Sequence, residues 1–435
     1  MSIAIIESLD QEGRGVAHVG GKAVFVEGAL PGETVEYAVT RSRPSYEQAE
    51  LVRVLKPSAQ RVEPRCPWYA ACGGCSMQHL DSGAQAMLKQ RVLEDALWHV
   101  GHVTPQQILP LLHGPAWGYR FRARIGVRDV PSKGGVRVGF RERRSSHLID
   151  MRSCEVLPPH VSALLPQLRE LIAGLSIPDR IPQIELAIGE GNVTVFVFRH
   201  LLPLTADDKN RLRAFADRHG VQVWLQPAGP DSIHRLHPQE APGLAYSLPE
   251  FDVRLDFRAT DFMQVNVGMN RMLMRRAMQL LDPQAGERIA DLFCGLGNFS
   301  LPIARRGARV IGLEGSDKLV RRAGENARAN GLEASSEFHA VDLFEMTEDS
   351  LAVLGPLDKL LLDPPREGAI AVVKALSPRC SPRRIVYVSC NPATLARDAA
   401  VLVHEKGYVL RSAGIANMFP QTSHVESIAL FEREQ

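Results

Sequence analysis

The sequence predicts an α/β protein with a mostly parallel, doubly wound sheet in its C-terminal part. A small β-barrel and a mixed α/β segment come before that sheet. Three observations carry this reading. From about residue 260, the short apolar runs Arg288–Phe293, Ala308–Leu313, Glu337–Val341, Lys359–Leu362 and Arg384–Val388 alternate with helical stretches such as Lys318–Ala329, the pattern of successive βαβ units. Residues 1–60 instead hold the runs Gly15–Val19, Ala23–Val26, Thr34–Val39 and Ala49–Leu55 between Gly, Pro and Asp turn signals. Finally, 435 residues are too many for one ordinary domain. The expected division is 1–60, 61–258 and 259–435.

The first part reads as an OB-like barrel of about five short strands, with Gly20-Gly21 at a hairpin turn. Pro57 to Pro67 ends that pattern, and a cysteine-rich segment follows. Ala84–Val100 then has helical spacing, and residues 117 to about 258 mix strands and helices. In Tyr119–Ile125 the period-two alternation places Arg120, Arg122 and Arg124 on one face of a strand. Three like charges there repel unless an anion neutralises them, so the face is expected to meet phosphate.

Composition narrows the function classes. The chain is 45% hydrophobic and 23% charged, enough to build a sizeable core. No apolar run reaches the roughly 18 residues of a membrane span. The N-terminus has no basic stretch before Glu7, so no secretory leader is expected. A cytoplasmic protein follows, with its seven cysteines as thiols. Net charge is +2, yet Arg41 to Arg152 holds 18 Lys and Arg against 9 Asp and Glu, the footprint of a protein that meets a polyanion.

In doubly wound sheets, ligands bind beyond the carboxyl ends of the strands. There the sequence places Asp291-Leu292-Phe293-Cys294-Gly295-Leu296-Gly297-Asn298, with glycines that let a ligand approach the backbone. Glu314 follows the second run and can accept both ribose hydroxyls. Asp342 follows the third and Asp363 the fourth. The full G-x-G-x-x-G fingerprint of a dinucleotide site is absent. A row of acids suits a ligand carrying a sulfonium and an ammonium better than a pyrophosphate. The reading is S-adenosylmethionine rather than NAD.

The fifth run leads into Ser389-Cys390-Asn391-Pro392. A free cysteine is usually a small buried hydrophobe, but Cys390 stands beside the cofactor crevice. A thiolate there can add to C6 of a pyrimidine and make C5 nucleophilic. A base must then remove the C5 hydrogen before the thiolate leaves. Glu426, at the start of the apolar run Ser427–Leu430, is the candidate, with His424 a helper or a surface residue.

Cys66, Cys72 and Cys75 give C-x₅-C-x₂-C, with Cys154 later in the chain. Four such cysteines read as a metal site, and zinc and a [4Fe–4S] cluster both fit the ligand count. The C-x₃-C-x₂-C spacing of radical enzymes is absent, so a structural or RNA-positioning role is expected. Cys294 and Cys380 have no partners in this scheme.

These motifs together resemble the bacterial 23S rRNA (uracil-5-)-methyltransferases over essentially the whole chain. Gly13–Ala17 and Val26–Glu33 look like a TRAM domain, an OB-like RNA-binding barrel. The resemblance implies a central iron–sulfur domain, with Cys66, Cys72, Cys75 and Cys154 as [4Fe–4S] ligands. It implies that Gln264, in Asp261–Asn266, contacts the cofactor, together with Phe293, Asn298, Glu314, Asp342 and Asp363. It matches Cys390 to the nucleophile and Glu426 to the base. It implies one uridine of 23S rRNA as substrate and no obligate protein partner; tRNA is the alternative substrate, and an RNA-binding protein with a vestigial catalytic domain the alternative class. Met418–Ser423 departs from the Pro-His-Thr common among relatives, and only a local effect is expected.

Overall fold

The computed structural model describes residues 1–433. At the N-terminus six strands form one sheet in the order Ser2–Ile5, Thr34–Ser42, Tyr46–Lys56, Lys22–Glu27, Gly15–Val19, Ser8–Leu9. The two short strands beyond the four expected runs lie at the sheet's edges, where few side chains are buried to mark them in sequence. Val24, Val26, Val35 and Tyr37 fill the interior. Glu33 is buried at the barrel's base, where Arg61 Nε donates to it at 2.6 Å.

The central sheet runs His234–His237, Gln222–Gln226, Thr194–Arg199, Gln183–Ile188, Arg122–Val130, Gly135–Gly139. Its inner strands Gln183–Ile188 and Thr194–Arg199 are buried on both faces, so they read as continuous apolar runs.

The C-terminal sheet has the order Ser336–Ala340, Arg309–Glu314, Arg288–Leu292, Lys359–Leu362, Arg384–Ser389, Glu426–Arg433, Tyr408–Ala416, Gln107–Ile108. The first five strands are parallel, and Glu426–Arg433 inserts antiparallel. Chain order reverses between Arg288–Leu292 and Lys359–Leu362, which makes the crevice above them the switch point.

The expected division at residue 259 is crossed by three earlier elements. Helix Ser82–His99 packs its Leu93 and Leu97 into the core of the C-terminal sheet, and Gln107–Ile108 joins that sheet's edge. The hairpin Leu244–Leu248 and Val253–Phe257 belongs to the same side of the molecule. Linear pattern could not reveal this, because the partners lie about 300 residues away.

The arginine strand also differs from expectation. It begins at Arg122, so Arg120 lies outside it. Arg124 stands opposite Glu185 in the ladder and pairs with it at 3.2 Å. Arg122 donates to the Thr260 and Asp261 carbonyls. The neutralising anion is therefore Glu185, a residue of the protein itself. The same holds across the basic segment: Arg61, Arg65 and Arg143 pair with Glu33, Glu155 and Glu27, acids outside the counted stretch. Exposed Arg41, Arg43, Arg128 and Arg152 remain at the surface.

Candidate active site

Antiparallel register builds the centre of the site. Ser389 is paired with Ser427, so the next residue on each strand, Cys390 and Glu426, meet at the carboxyl edge of the sheet. Ser427 Oγ donates to the Ser389 carbonyl at 3.0 Å and locks this register. Asn391 caps helix Pro392–His404 through the Ala393 N–H, so the turn that holds Cys390 is fixed on both sides.

Asp363 follows the neighbouring strand, with its N–H on the Leu292 carbonyl. The Arg366 carbonyl accepts from Asn391 Nδ2 and Thr394 Oγ1, and its guanidinium lies 3.2 Å from His424 Nδ1. Sequence reasoning assigned nothing to Arg366; its place directly after Asp363-Pro364-Pro365 was the available signal.

The electrostatics follow from burying acids close together, with Arg366 the nearby cation. Burial and the Glu426 and Asp363 charges push the Cys390 thiol up to about 12, with Arg366 pulling the other way. Burial and the Asp363 charge hold the Glu426 carboxyl far above the usual range. Asp363 is raised to about 8 by burial and by Asp291, and Asp291 to about 7 by burial. Asp291, fully buried, gives one oxygen to the Ser300 hydroxyl and leaves the other unpartnered. His424 is lowered to about 4 by burial and Arg366, so it stays neutral.

The glycine loop carries the next group. Phe293 sits at φ +68°, unusual for a bulky residue and a mark of a functionally constrained backbone. Glu314 accepts from the Gly295 N–H at 3.1 Å and from the Ser316 N–H at 3.0 Å, tying the loop to the second strand. Asp342 is exposed and accepts from the Phe344 N–H, and the Phe344 ring lies 5.8 Å from Phe293. Asn298 exchanges amide hydrogen bonds with Asn270 and accepts from the Tyr246 hydroxyl at 2.8 Å. Neither Asn270 nor Tyr246 was picked out from sequence. Gln264 is on no strand end; it lies half-buried shortly before helix Val267–Leu281.

Cys66, Cys72, Cys75 and Cys154 line one cavity of about 230 Å³, with Tyr69 and Tyr119. Burial raises Cys75 to about 12 and Cys154 to about 11. No three His, Cys, Asp or Glu side chains among the described residues are gathered to hold a single metal ion. Cys294 and Cys380 are buried, and all seven cysteines are free.

A sheet of this order, with a switch-point crevice lined by strand-end acids, defines a Rossmann-like methyltransferase. A family model described as tRNA (uracil-5-)-methyltransferase matches residues 247–434, and a TRAM domain model matches 4–52. The 23S rRNA (uracil(1939)-C(5))-methyltransferase RlmD of Aromatoleum aromaticum is 72% identical over 433 residues, covering 100% of both chains. The RlmD of Nitrosospira multiformis is 58% identical over 430 residues, 99% of this chain and 98% of that one. The solved Pyrococcus abyssi tRNA (uracil-54, C5)-methyltransferase in complex with S-adenosyl-L-homocysteine matches at a TM-score of 0.74. It covers 99% of this chain and 100% of that one at 23% identity, a likeness of fold. The chain belongs to the 23S rRNA (uracil-C5)-methyltransferase family.

Proposed function

We propose that the protein methylates C5 of uridine 1939 in 23S rRNA, the activity named for its 72% identical relatives. The observation that carries the chemistry is the register that sets Cys390 against Glu426, with Asp363 beside them. The Cys390 thiolate adds to C6, and the C5–C6 electron pair moves into an enolate. Bound S-adenosylmethionine supplies an electrophilic methyl group, which C5 takes up. Glu426 then removes the C5 hydrogen as a proton. The C–H electrons restore the C5–C6 double bond and expel the Cys390 thiolate by β-elimination.

Phe293, Asn298, Glu314, Asp342, Asp363 and Gln264 are the proposed cofactor contacts. Glu314 would receive ribose hydroxyls, and Asp363, whose charge acts on the Cys390 thiol, would face the cofactor's cationic end. The raised carboxyls suit a cationic ligand, whose binding favours their ionised forms. Burial and the neighbouring acids favour the Cys390 thiol, and Arg366 favours its thiolate.

The cysteine cavity is the proposed site of a [4Fe–4S] cluster. Its four cysteines form an all-thiol donor set of the kind such a cluster takes, lining a cavity of about 230 Å³. No step of the methylation requires it. The TRAM barrel and the exposed arginines would hold the RNA backbone, with the uridine flipped to reach Cys390. An rRNA substrate implies a cytoplasmic location; no helix among the described residues is long and apolar enough to cross a membrane.

The test is methyl transfer from labelled S-adenosylmethionine into unmodified 23S and tRNA transcripts, followed by nucleoside analysis. Wild type should form 5-methyluridine in 23S RNA, and Cys390→Ala none. Label in tRNA alone would overturn the substrate, and 5-methylcytidine would overturn the base assignment.

A further inference from the structure

The loop before Glu426 is held almost entirely by a distant part of the chain. Lys89 Nζ, buried on helix Ser82–His99, donates to Asn417 Oδ1 at 2.7 Å and to the Phe419 carbonyl at 2.9 Å. Asn266 Nδ2 donates to the Met418 carbonyl at 3.1 Å, and the Tyr119 hydroxyl to the Pro420 carbonyl at 2.7 Å. Gln421 is buried in a left-handed conformation, φ +69°. Its carbonyl accepts from the Ser76 and Met77 N–H groups at 2.9 and 3.0 Å. Its side chain accepts from Gln85 Nε2 at 3.0 Å, and its own N–H donates back to Gln85 Oε1 at 2.8 Å. The Ser423 N–H donates to Ser76 Oγ at 2.9 Å.

Every one of these partners except Asn266 sits beside the cysteine cavity or on the helix that follows it. Ser76 directly succeeds Cys75, and Tyr119 lines the cavity. A left-handed glutamine costs about 1 kcal/mol or more unless its surroundings hold it. Buried polar groups must also be paired. The loop's conformation at Gln421 is therefore imposed from outside, three residues before His424 and five before the base.

We propose that Lys89, Gln85 and Gln421 are positioning residues for Glu426, and that the segment following Cys75 acts as a clamp setting the base against C5. This rests on the reading of Cys390 as nucleophile and Glu426 as base. It gives the cysteine region a part in the reaction without electron transfer: fixing Cys75 and Tyr119 fixes the loop. The clamp acts only after methyl transfer, when the C5 proton must go to the Glu426 carboxylate.

The test separates that step from the earlier ones. RNA carrying 5-fluorouridine at the target has no C5 proton, so methylation leaves a covalent adduct on Cys390 whether or not the base is in place. Lys89→Met and Gln421→Gly should slow turnover of ordinary RNA by about tenfold to a hundredfold, the usual cost of a misplaced catalytic group. Both should form the fluorouridine adduct at a rate within about twofold of wild type, since the steps before proton removal are untouched. With ordinary RNA both should accumulate a methylated protein–RNA adduct that survives denaturation. Gly adopts φ +69° without strain, so Gln421→Gly carries the test if Lys89→Met does not fold. Unchanged turnover, or equal loss of both rates without adduct, overturns the proposal. If wild type itself forms no fluorouridine adduct, the underlying nucleophile reading fails instead.

Discussion

The basic segment and the strand-end crevice handle charge in opposite ways. In the segment, Arg124 meets Glu185, Arg143 meets Glu27 and Arg61 meets Glu33. In the crevice, burial raises both Asp363 and Glu426, Asp291 pushes Asp363 further up and Asp363 pushes Glu426 further up, and Asp291 keeps an unpartnered oxygen. A paired charge is a part of the scaffold. An unpaired buried acid is costly in the empty protein and is relieved by a ligand or a transferred proton. The comparison teaches that function in this chain lies where compensation is missing.

The largest effect should come from the unpaired side. Glu426→Gln keeps the size of the side chain and removes the base, so turnover should fall by about 10²–10⁴, measured as 5-methyluridine formed per enzyme. A variant that retained wild-type turnover would show that another group takes the proton. Next comes a carboxylate shared by two arginines of the basic segment. Glu185→Ala leaves Arg122 and Arg124 without their carboxylate, and stability should fall by about 2 kcal/mol in urea unfolding, tempered by the exposure of Arg124. No change would mean that Glu185 is idle and the arginines face an external anion after all.

The third test uses pH. Asp363, raised to about 8, is neutral in the empty site at lower pH. Cationic S-adenosylmethionine favours the ionised form, so its affinity should rise as pH increases toward about 8, by up to about tenfold per unit. The neutral sulfur of S-adenosylhomocysteine should give a shallower rise by calorimetry, and Asp363→Asn should flatten both. The folding linkage has the opposite sign. A carboxyl raised on folding stabilises the ligand-free protein most below its unfolded pKa, and that contribution is lost as pH rises through about 7 for Asp291 and about 8 for Asp363. Smallest is Glu27→Gln, a half-buried carboxylate paired with Arg143 and the more exposed Arg144, where such pairs contribute about 1 kcal/mol; thermal unfolding should move by only a few degrees.

Much of the site was legible because its signals are local. Strand ends at Leu292, Glu314, Leu362 and Ser389 follow from runs of apolar residues, and the chemistry-bearing residues come directly after them. Asn270 and Tyr246 were not legible in this way, because they reach Asn298 from other elements. The arginine triplet misled because its counter-charge, Glu185, is 61 residues away in sequence.

By itself the sequence determined where the strands of the C-terminal sheet end and which acids, glycines and cysteine follow them, since apolar periodicity and turn residues act over a few positions. Tertiary structure alone decided the pairing of Cys390 with Glu426, the partners of the arginines, and the clamp on Gln421 by residues 336 positions away. Those contacts depend on sheet register and on the packing of buried polar groups, which no local pattern encodes.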